Sequence, residues 1–384
     1  MNNKTEIAVM THWWANDNYG QTLQYFALQA FLESKGYNTY LIRYLSPSDY
    51  IVKKNIHKYL SLKKVINLVK TILPRLIYYK KEKNRIFAFQ QFKNKYFHFS
   101  PDLYHTYTDL VKSPPRADYY ITGSDQVWNF LYKNADLEGC RNAIHAYFLD
   151  FGNAGTRRIA IAASWGTPSI PKEFAHEIAP LISNFDNITV RERSGIDICR
   201  FCGIKTAKLF PDTAFLLTAD KYRELYSKVL YRKRATPYIL VYQIGYNWNL
   251  EFQNIKKMAK KENIDIIYIT TAVYTCSPRI MPGVEEWLAL IDNAKYVITN
   301  SFHGCVFSII FNKSFMSITQ KNCMDRNTRI NSLYEYFCIR PQWYKKGQNL
   351  CTCFKKSEID WTAINTKIGI IQRTFIPSFL QDKC

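Results

Sequence analysis

Short runs of β-branched and aromatic residues, each closed by a turn and often followed by a helical stretch, recur along this chain and leave few folds open to it. "EIAVM", "NTYLIRY", "DYYITG", "RRIAIAAS" and "NITVRE" do so in the first half, and "YILVYQI", "IDIIYIT", "YVIT" and "SFMSIT" in the second. Between them lie helical patterns: Gln21 to Lys35 ended by Gly36, Asn249 to Lys261, "GVEEWLALIDNA", a helix near Asn327 to Cys338 and one near Ser357 to Leu380. Strands alternating with helices are the rhythm of a parallel sheet covered on both faces. A chain of 384 residues exceeds what one hydrophobic core usually serves. The pattern therefore predicts an α/β protein of two Rossmann-like domains facing a cleft. The first is 1–210, with a basic helical insertion at 51–97, and the second is 211–384, the chain crossing over somewhere near Phe210–Pro237. In such sheets ligands bind beyond the carboxyl ends of the strands, near helix N-termini.

Composition excludes some classes. Hydrophobic residues make up 47% and charged residues 22%, as in folded globular proteins. No run of eighteen apolar residues occurs, and "MNNKTEIAVM" lacks the basic start and apolar centre of a signal peptide. These features predict a cytoplasmic protein. Of the ten cysteines, Cys199 and Cys202 form a lone CxxC and Cys351 and Cys353 a CxC. A structural zinc site needs four ligands, and no second CxxC accompanies the first. The expectation is no metal site and reduced, inert thiols.

The net charge of +21 is uneven. Between Ile51 and Phe97 thirteen Lys and Arg face one acid, Glu82, so twelve of the 21 net charges lie there. Leu60, Leu62, Val65, Ile66, Leu68, Val69, Ile72 and Leu73 interleave at near-helical spacing until Pro74 interrupts. This predicts a basic amphipathic helical excursion, suited to an anionic membrane surface or to phosphate groups; a solvated helical hairpin is the alternative. No nucleic-acid motif accompanies the charge, so nucleic acid is not an expected partner.

Three loops leave strands at their carboxyl ends. "ITNSFHG" places Asn300, Ser301, His303 and Gly304 between a buried strand and a buried helix. A helix N-terminus favours an anion, and His303 there either holds a phosphate or carboxylate, moves a proton, or caps local backbone. Gly304 would let backbone approach a ligand closely. "THWWANDNYGQTLQ" places Asn18, Tyr19, Gly20 and Gln21 likewise, and "ITGSDQVWN" places Ser124, Asp125 and Trp128 at an exposed tip.

"NYGQTLQYFALQAFLESKGY", "ITGSDQVWN" and "VITNSFHGCVFSIIFNKSF" together resemble the polysaccharide pyruvyl transferase family. "VRERSGIDICRFCGI", "PDTAFLL" and the helix from Arg326 to Phe337 look like its further motifs, so the resemblance runs from about Ile7 to Phe337. It implies a fold similar to the two-domain GT-B glycosyltransferases. It also implies transfer of the pyruvyl group from phosphoenolpyruvate to a sugar of a capsule or exopolysaccharide precursor, as a pyruvate ketal. Phosphoenolpyruvate is then a substrate, and no cofactor is implied. His303 would be the catalytic donor-site histidine, and Arg191 the donor-site arginine with Arg193 as the neighbouring alternative. Some members carry an arginine two positions before the histidine, where this chain has Ser301; Asn300, Ser301, Arg326 or Arg329 would substitute. Asp125 is read as the proton-handling or acceptor-binding carboxylate. Asn18, Tyr19, Gly20, Gln21, Ser124 and Trp128 are read as acceptor-side residues, with Trp13 and Trp14 as further sugar-stacking candidates.

This reading is of a cytoplasmic, membrane-peripheral ketal pyruvyltransferase whose acceptor is a free or lipid-linked oligosaccharide. Its rivals are a GT-B glycosyltransferase using a nucleotide sugar, and a non-catalytic basic protein that binds membrane surfaces.

Overall fold

In the computed structural model the described residues are 4–45, 68–130, 137–227, 235–245, 250–270, 279–319, 324–355 and 358–375, without the side chains of 68–78, 137–140, 279 and 324–326. The chain divides into two compact units, Met1–Phe210 and Pro211–Cys384.

The first unit is built on seven parallel strands: β1 (Glu6–Met10), β2 (Asn38–Tyr44), β3 (Phe99–Tyr104), β4 (Tyr119–Gly123), β5 (Arg157–Ala163), β6 (Asn187–Val190) and β7 (Lys208–Leu209). Their order in the sheet is β3-β2-β1-β4-β5-β6-β7. Ile7 sits opposite both Thr39 and Tyr119, so β1 and β4 are adjacent at the centre. From β1 the chain winds one way and from β4 the other, which makes the β1/β4 pair the switch point where a crevice opens beyond the strand ends. Every residue of β4 is buried, as a strand covered on both faces requires.

The second unit repeats the plan with five strands: β8 (Tyr238–Gln243), β9 (Asp265–Thr270), β10 (Arg279–Ile280), β11 (Tyr296–Thr299) and β12 (Phe315–Ser317). The order β10-β9-β8-β11-β12 puts its switch point between β8 and β11, registered by Val297 opposite Leu240. The fold class is α/β, with two Rossmann-like units.

Some elements differ from the sequence expectation. The helix Leu68–Tyr96 runs through Pro74, which was expected to interrupt it. The chain before it, from residue 46 to 67, lies outside the described residues. β3 was not anticipated: it contains Pro101, which cannot donate to a ladder and is tolerated here because β3 is the sheet edge. The expected C-terminal helix is present as Trp361–Thr374, and a short helix that was not anticipated, Leu350–Lys355, precedes it.

Candidate functional site

Each unit carries a polar cluster at its own switch point. In the second unit β11 ends at Thr299, and the next three residues build the entry to the helix Phe302–Ile310. Asn300 uses both ends of its amide: its Oδ1 accepts from the Ile244 N–H at 2.7 Å and its Nδ2 donates to the Ile244 carbonyl at 2.8 Å. That pair stitches the end of β8 to the end of β11. Ser301 caps the helix, its Oγ accepting from the Gly304 N–H at 3.2 Å. A Cβ on Gly304 would lie 2.5 Å from Thr299 Oγ1, so this glycine is required by close packing of helix on strand. Asn300, Ser301 and Gly304 together thus build the turn that enters the helix.

His303 is what the turn presents. It lies in the first helical turn, its side chain 10% exposed, with Nε2 3.5 Å from Asp212 Oδ2. Asp212 is fully buried, and its other oxygen, Oδ1, accepts from the Ala214 N–H at 2.9 Å, opening the short helix Thr213–Leu216. The Phe302 ring meets the imidazole edge-on, with 5.3 Å between centroids, and the Arg329 guanidinium lies 5.7 Å from the centroid of Phe302. Of the cations expected to stand in for an arginine at position 301, Arg329 packs on Phe302, the residue before the histidine; the side chain of Arg326 is outside the described residues. Asp212 was missed as a site residue. The signal was the "PDTAF" segment itself, in which a carboxylate sits inside an otherwise apolar run.

In the first unit Gly123 ends β4 with φ +113°, and a Cβ there would lie 2.1 Å from the Ile161 carbonyl oxygen, so only glycine fits. The Gly123–Ser124 peptide is cis. Asp125 follows at φ +78°, a conformation that costs a non-glycine residue energy and persists only where its surroundings fix it. Three contacts do the fixing: the Thr11 hydroxyl donates to the Ser124 carbonyl at 3.0 Å, Gln24 Oε1 accepts from the Ser124 N–H at 3.1 Å, and Gln21 Nε2 donates to Asp125 Oδ2 at 3.3 Å. Arg191, just beyond β6, donates from Nη2 to Ser124 Oγ at 2.5 Å, and its Nη1 is 3.8 Å from Asp125 Oδ1.

The Arg191 side chain is fully buried, whereas that of Asp125 is 11% exposed. Arg191 thus stands behind the carboxylate, in contact with Ser124 and Asp125. Arg193 is exposed at the start of the helix Arg193–Phe201. Asn18 caps the helix Tyr19–Ser34, its Oδ1 accepting from the Gln21 N–H at 3.1 Å. Tyr19 is buried against Phe89 with 5.0 Å between ring centroids, and Gly20 is buried too. Trp128 is not at an exposed tip. It stacks on Phe148 with an interplanar angle of 4°, and its Nε1 donates to the Tyr147 carbonyl at 3.3 Å. An indole so enclosed is core, and the same holds for Tyr19. Trp13 donates from its indole to the Tyr44 carbonyl at 2.9 Å; Trp13 and Trp14 are both half-buried.

Burial pushes the thiols of Cys199 and Cys305 up to about 12 and that of Cys202 up to about 11, so all three stay protonated and poorly nucleophilic near neutrality. Among the described residues no three His, Cys, Asp or Glu side chains are grouped so as to hold a metal ion, and no helix is long and apolar enough to cross a membrane.

Solved structures similar along nearly the whole chain include UDP-GlcNAc 2-epimerases from Methanocaldococcus jannaschii (12% identity, 96% of this chain and 99% of that one, TM-score 0.43) and Neisseria meningitidis (10%, 97% and 100%, 0.43). An α-glucosyltransferase solved with UDP and a 13-mer DNA is similar at 8% identity over 97% of this chain and 100% of that one, with a TM-score of 0.46. Likenesses this distant carry no argument about activity. Among curated proteins, none matches this sequence. The sequence description of polysaccharide pyruvyl transferase, by contrast, matches residues 18–322, a span that contains Gln21, Asp125, Arg191, Asp212 and His303. The chain belongs to the polysaccharide pyruvyl transferase family and is a transferase.

Proposed function

We propose that the protein moves the pyruvyl group of phosphoenolpyruvate onto two hydroxyls of one sugar in a capsule or exopolysaccharide precursor, forming a cyclic ketal. The enol methylene takes a proton and becomes a methyl group, which leaves the adjacent carbon electrophilic. A sugar hydroxyl oxygen bonds to that carbon, the C–O bond to phosphate breaks, and a second hydroxyl closes the ring. Of the two hydroxyl protons, one balances the proton given to the methyl and the other leaves with phosphate.

His303 is assigned the proton delivered to the enol carbon. Asp212 holds the imidazole in place, as a buried carboxylate behind a catalytic histidine does. The first turn of the helix Phe302–Ile310 and the Arg329 guanidinium supply the positive potential that a small polyanion needs. Asp125, with Gln21 and Ser124, is assigned to the sugar hydroxyls, and Arg191 keeps that carboxylate oriented. A lipid-linked acceptor would make this a peripheral protein of the inner membrane face.

The observation that carries the reading is the buried Asp212 behind a slightly exposed His303 at the β8/β11 switch point. Titration calorimetry tests it: phosphoenolpyruvate should bind and nucleotide sugars should not. Binding of a UDP-sugar with none of phosphoenolpyruvate would overturn it in favour of glycosyl transfer.

A further inference from the structure

From Tyr79 onward the helix Leu68–Tyr96 has two unlike faces. Arg85, Phe89, Phe92 and Lys93 are buried. Phe92 packs on Phe26 at 5.6 Å, and the Lys93 ammonium donates to the carbonyls of Trp13 (2.6 Å) and Ala15 (2.5 Å) and to Asn16 Oδ1 (3.1 Å). Arg85 turns inward with Glu82, donating to its carboxylate at 2.7 Å, so the one acid of the 51–97 stretch is engaged by a buried cation. Two of the basic residues counted in the sequence therefore belong to the interior.

At 100° per residue, Phe87 falls at the middle of the opposite face. It is 61% exposed, and Tyr79 is 51% exposed. Lys83, one turn before Phe87, lies over the Tyr79 ring at 4.8 Å, and Lys80, Lys81 and Lys83 are all exposed. An outward face with two aromatic rings, several lysines and no acid is the composition of a helix that lies in a membrane interface.

We infer that this face docks on an anionic lipid surface, with Phe87 and Tyr79 entering the headgroup boundary and Lys80 and Lys83 meeting lipid phosphates. The inference rests on the proposed lipid-linked acceptor for its purpose and names the surface that would bring the protein there. A second copy of the same face is a poor occupant, because it would set lysine against lysine.

Co-sedimentation with phosphatidylcholine vesicles, with and without phosphatidylglycerol, tests it. The full chain should pellet with the anionic vesicles, release as salt rises, and ignore the neutral ones. Replacing Lys80 and Lys83 together by Gln should weaken binding about 25-fold, at about 5-fold per lysine. Phe87→Ser should weaken it about 10-fold. All three side chains are exposed, so melting temperature should not change. Equal binding by parent and variants, or equal binding to both vesicles, overturns the inference. So does a Phe87→Ser variant that turns a dimer into a monomer with vesicle binding intact. Turnover of phosphoenolpyruvate on a soluble acceptor separates the two readings. Variants that lose vesicles but keep turnover support docking, while a parent that binds vesicles without ever turning over sinks only the reaction.

Discussion

His303 and Asp212 stand 3.5 Å apart as a front and a back: the imidazole keeps an exposed edge and the carboxylate has none. Asp125 and Arg191 repeat the relation with the charges exchanged, 3.8 Å apart, the carboxylate in front and the guanidinium fully buried behind it. In each unit, then, a titratable group at the switch point is backed by an opposite charge that water does not reach. Buried charges are costly unless paired, so each backing group has its partner in the group it orients.

Asp212→Asn tests the first pair, because an Asn can still accept from the Ala214 N–H and preserve the local turn. Turnover should fall about 10²-fold or more while the Michaelis constant for phosphoenolpyruvate changes little, since Asp212 positions the histidine and does not touch the donor. His303→Ala should lose about 10²–10⁴-fold in turnover, and His303→Gln as much, because Gln can donate a hydrogen bond but cannot deliver a proton. A Gln variant near parental turnover would limit His303 to binding.

Arg191→Ala tests the second pair. An orienting role predicts a lower turnover and a raised acceptor constant with the donor constant unchanged; a direct donor contact predicts a donor constant raised by about 10–100-fold. Steady-state kinetics with each substrate varied in turn tells these apart.

Much of this was legible in the sequence because switch-point loops announce themselves. Buried strands written as "YYITG" and "YVIT" end in the turn-forming runs Gly-Ser-Asp and Asn-Ser, and that places Asp125 and His303 at strand ends with no knowledge of pairing. What sequence could not show was depth. Trp128, Tyr19 and Arg191 read as loop residues with chemistry to offer, yet contacts with residues distant in sequence enclose all three. The Asp212–His303 contact joins residues ninety-one positions apart through folding alone, and a period or a spacing carries no trace of it.

Lys93 offers a test of how the basic helix is anchored. Its buried ammonium satisfies two carbonyls and one amide oxygen in the loop that follows β1. Lys93→Met should destabilise the first unit by about 3 kcal/mol, because those acceptors lose a charged donor while remaining buried. Urea unfolding followed by fluorescence measures it. A loss below about 0.5 kcal/mol would mean that the loop rearranges to water.

Asp292 sets an acid limit on the second unit. Burial alone would raise its carboxyl, but hydrogen bonds from Arg223 and Tyr226 outweigh that and hold it below its ordinary 3.8. A carboxylate lowered on folding adds stability above its unfolded value and loses it as pH falls through the folded one. Asp292→Asn should therefore be less stable than the parent by about 2 kcal/mol at neutral pH, and the gap should close in acid, below about pH 4. A gap that stays constant with pH would mean that packing, not charge, is what the substitution disturbs.

The central claim is the reaction, and mass spectrometry of the acceptor tests it most directly. Lipid-linked and free oligosaccharides from a capsule or exopolysaccharide pathway would be incubated with the protein and isotopically labelled phosphoenolpyruvate. The account predicts an acceptor carrying the labelled three-carbon unit as a ketal, one phosphate released per ketal formed, and neither product with Asp212→Asn together with His303→Gln. Transfer of a sugar from a nucleotide donor to the same acceptors, with phosphoenolpyruvate left unconsumed, would contradict it.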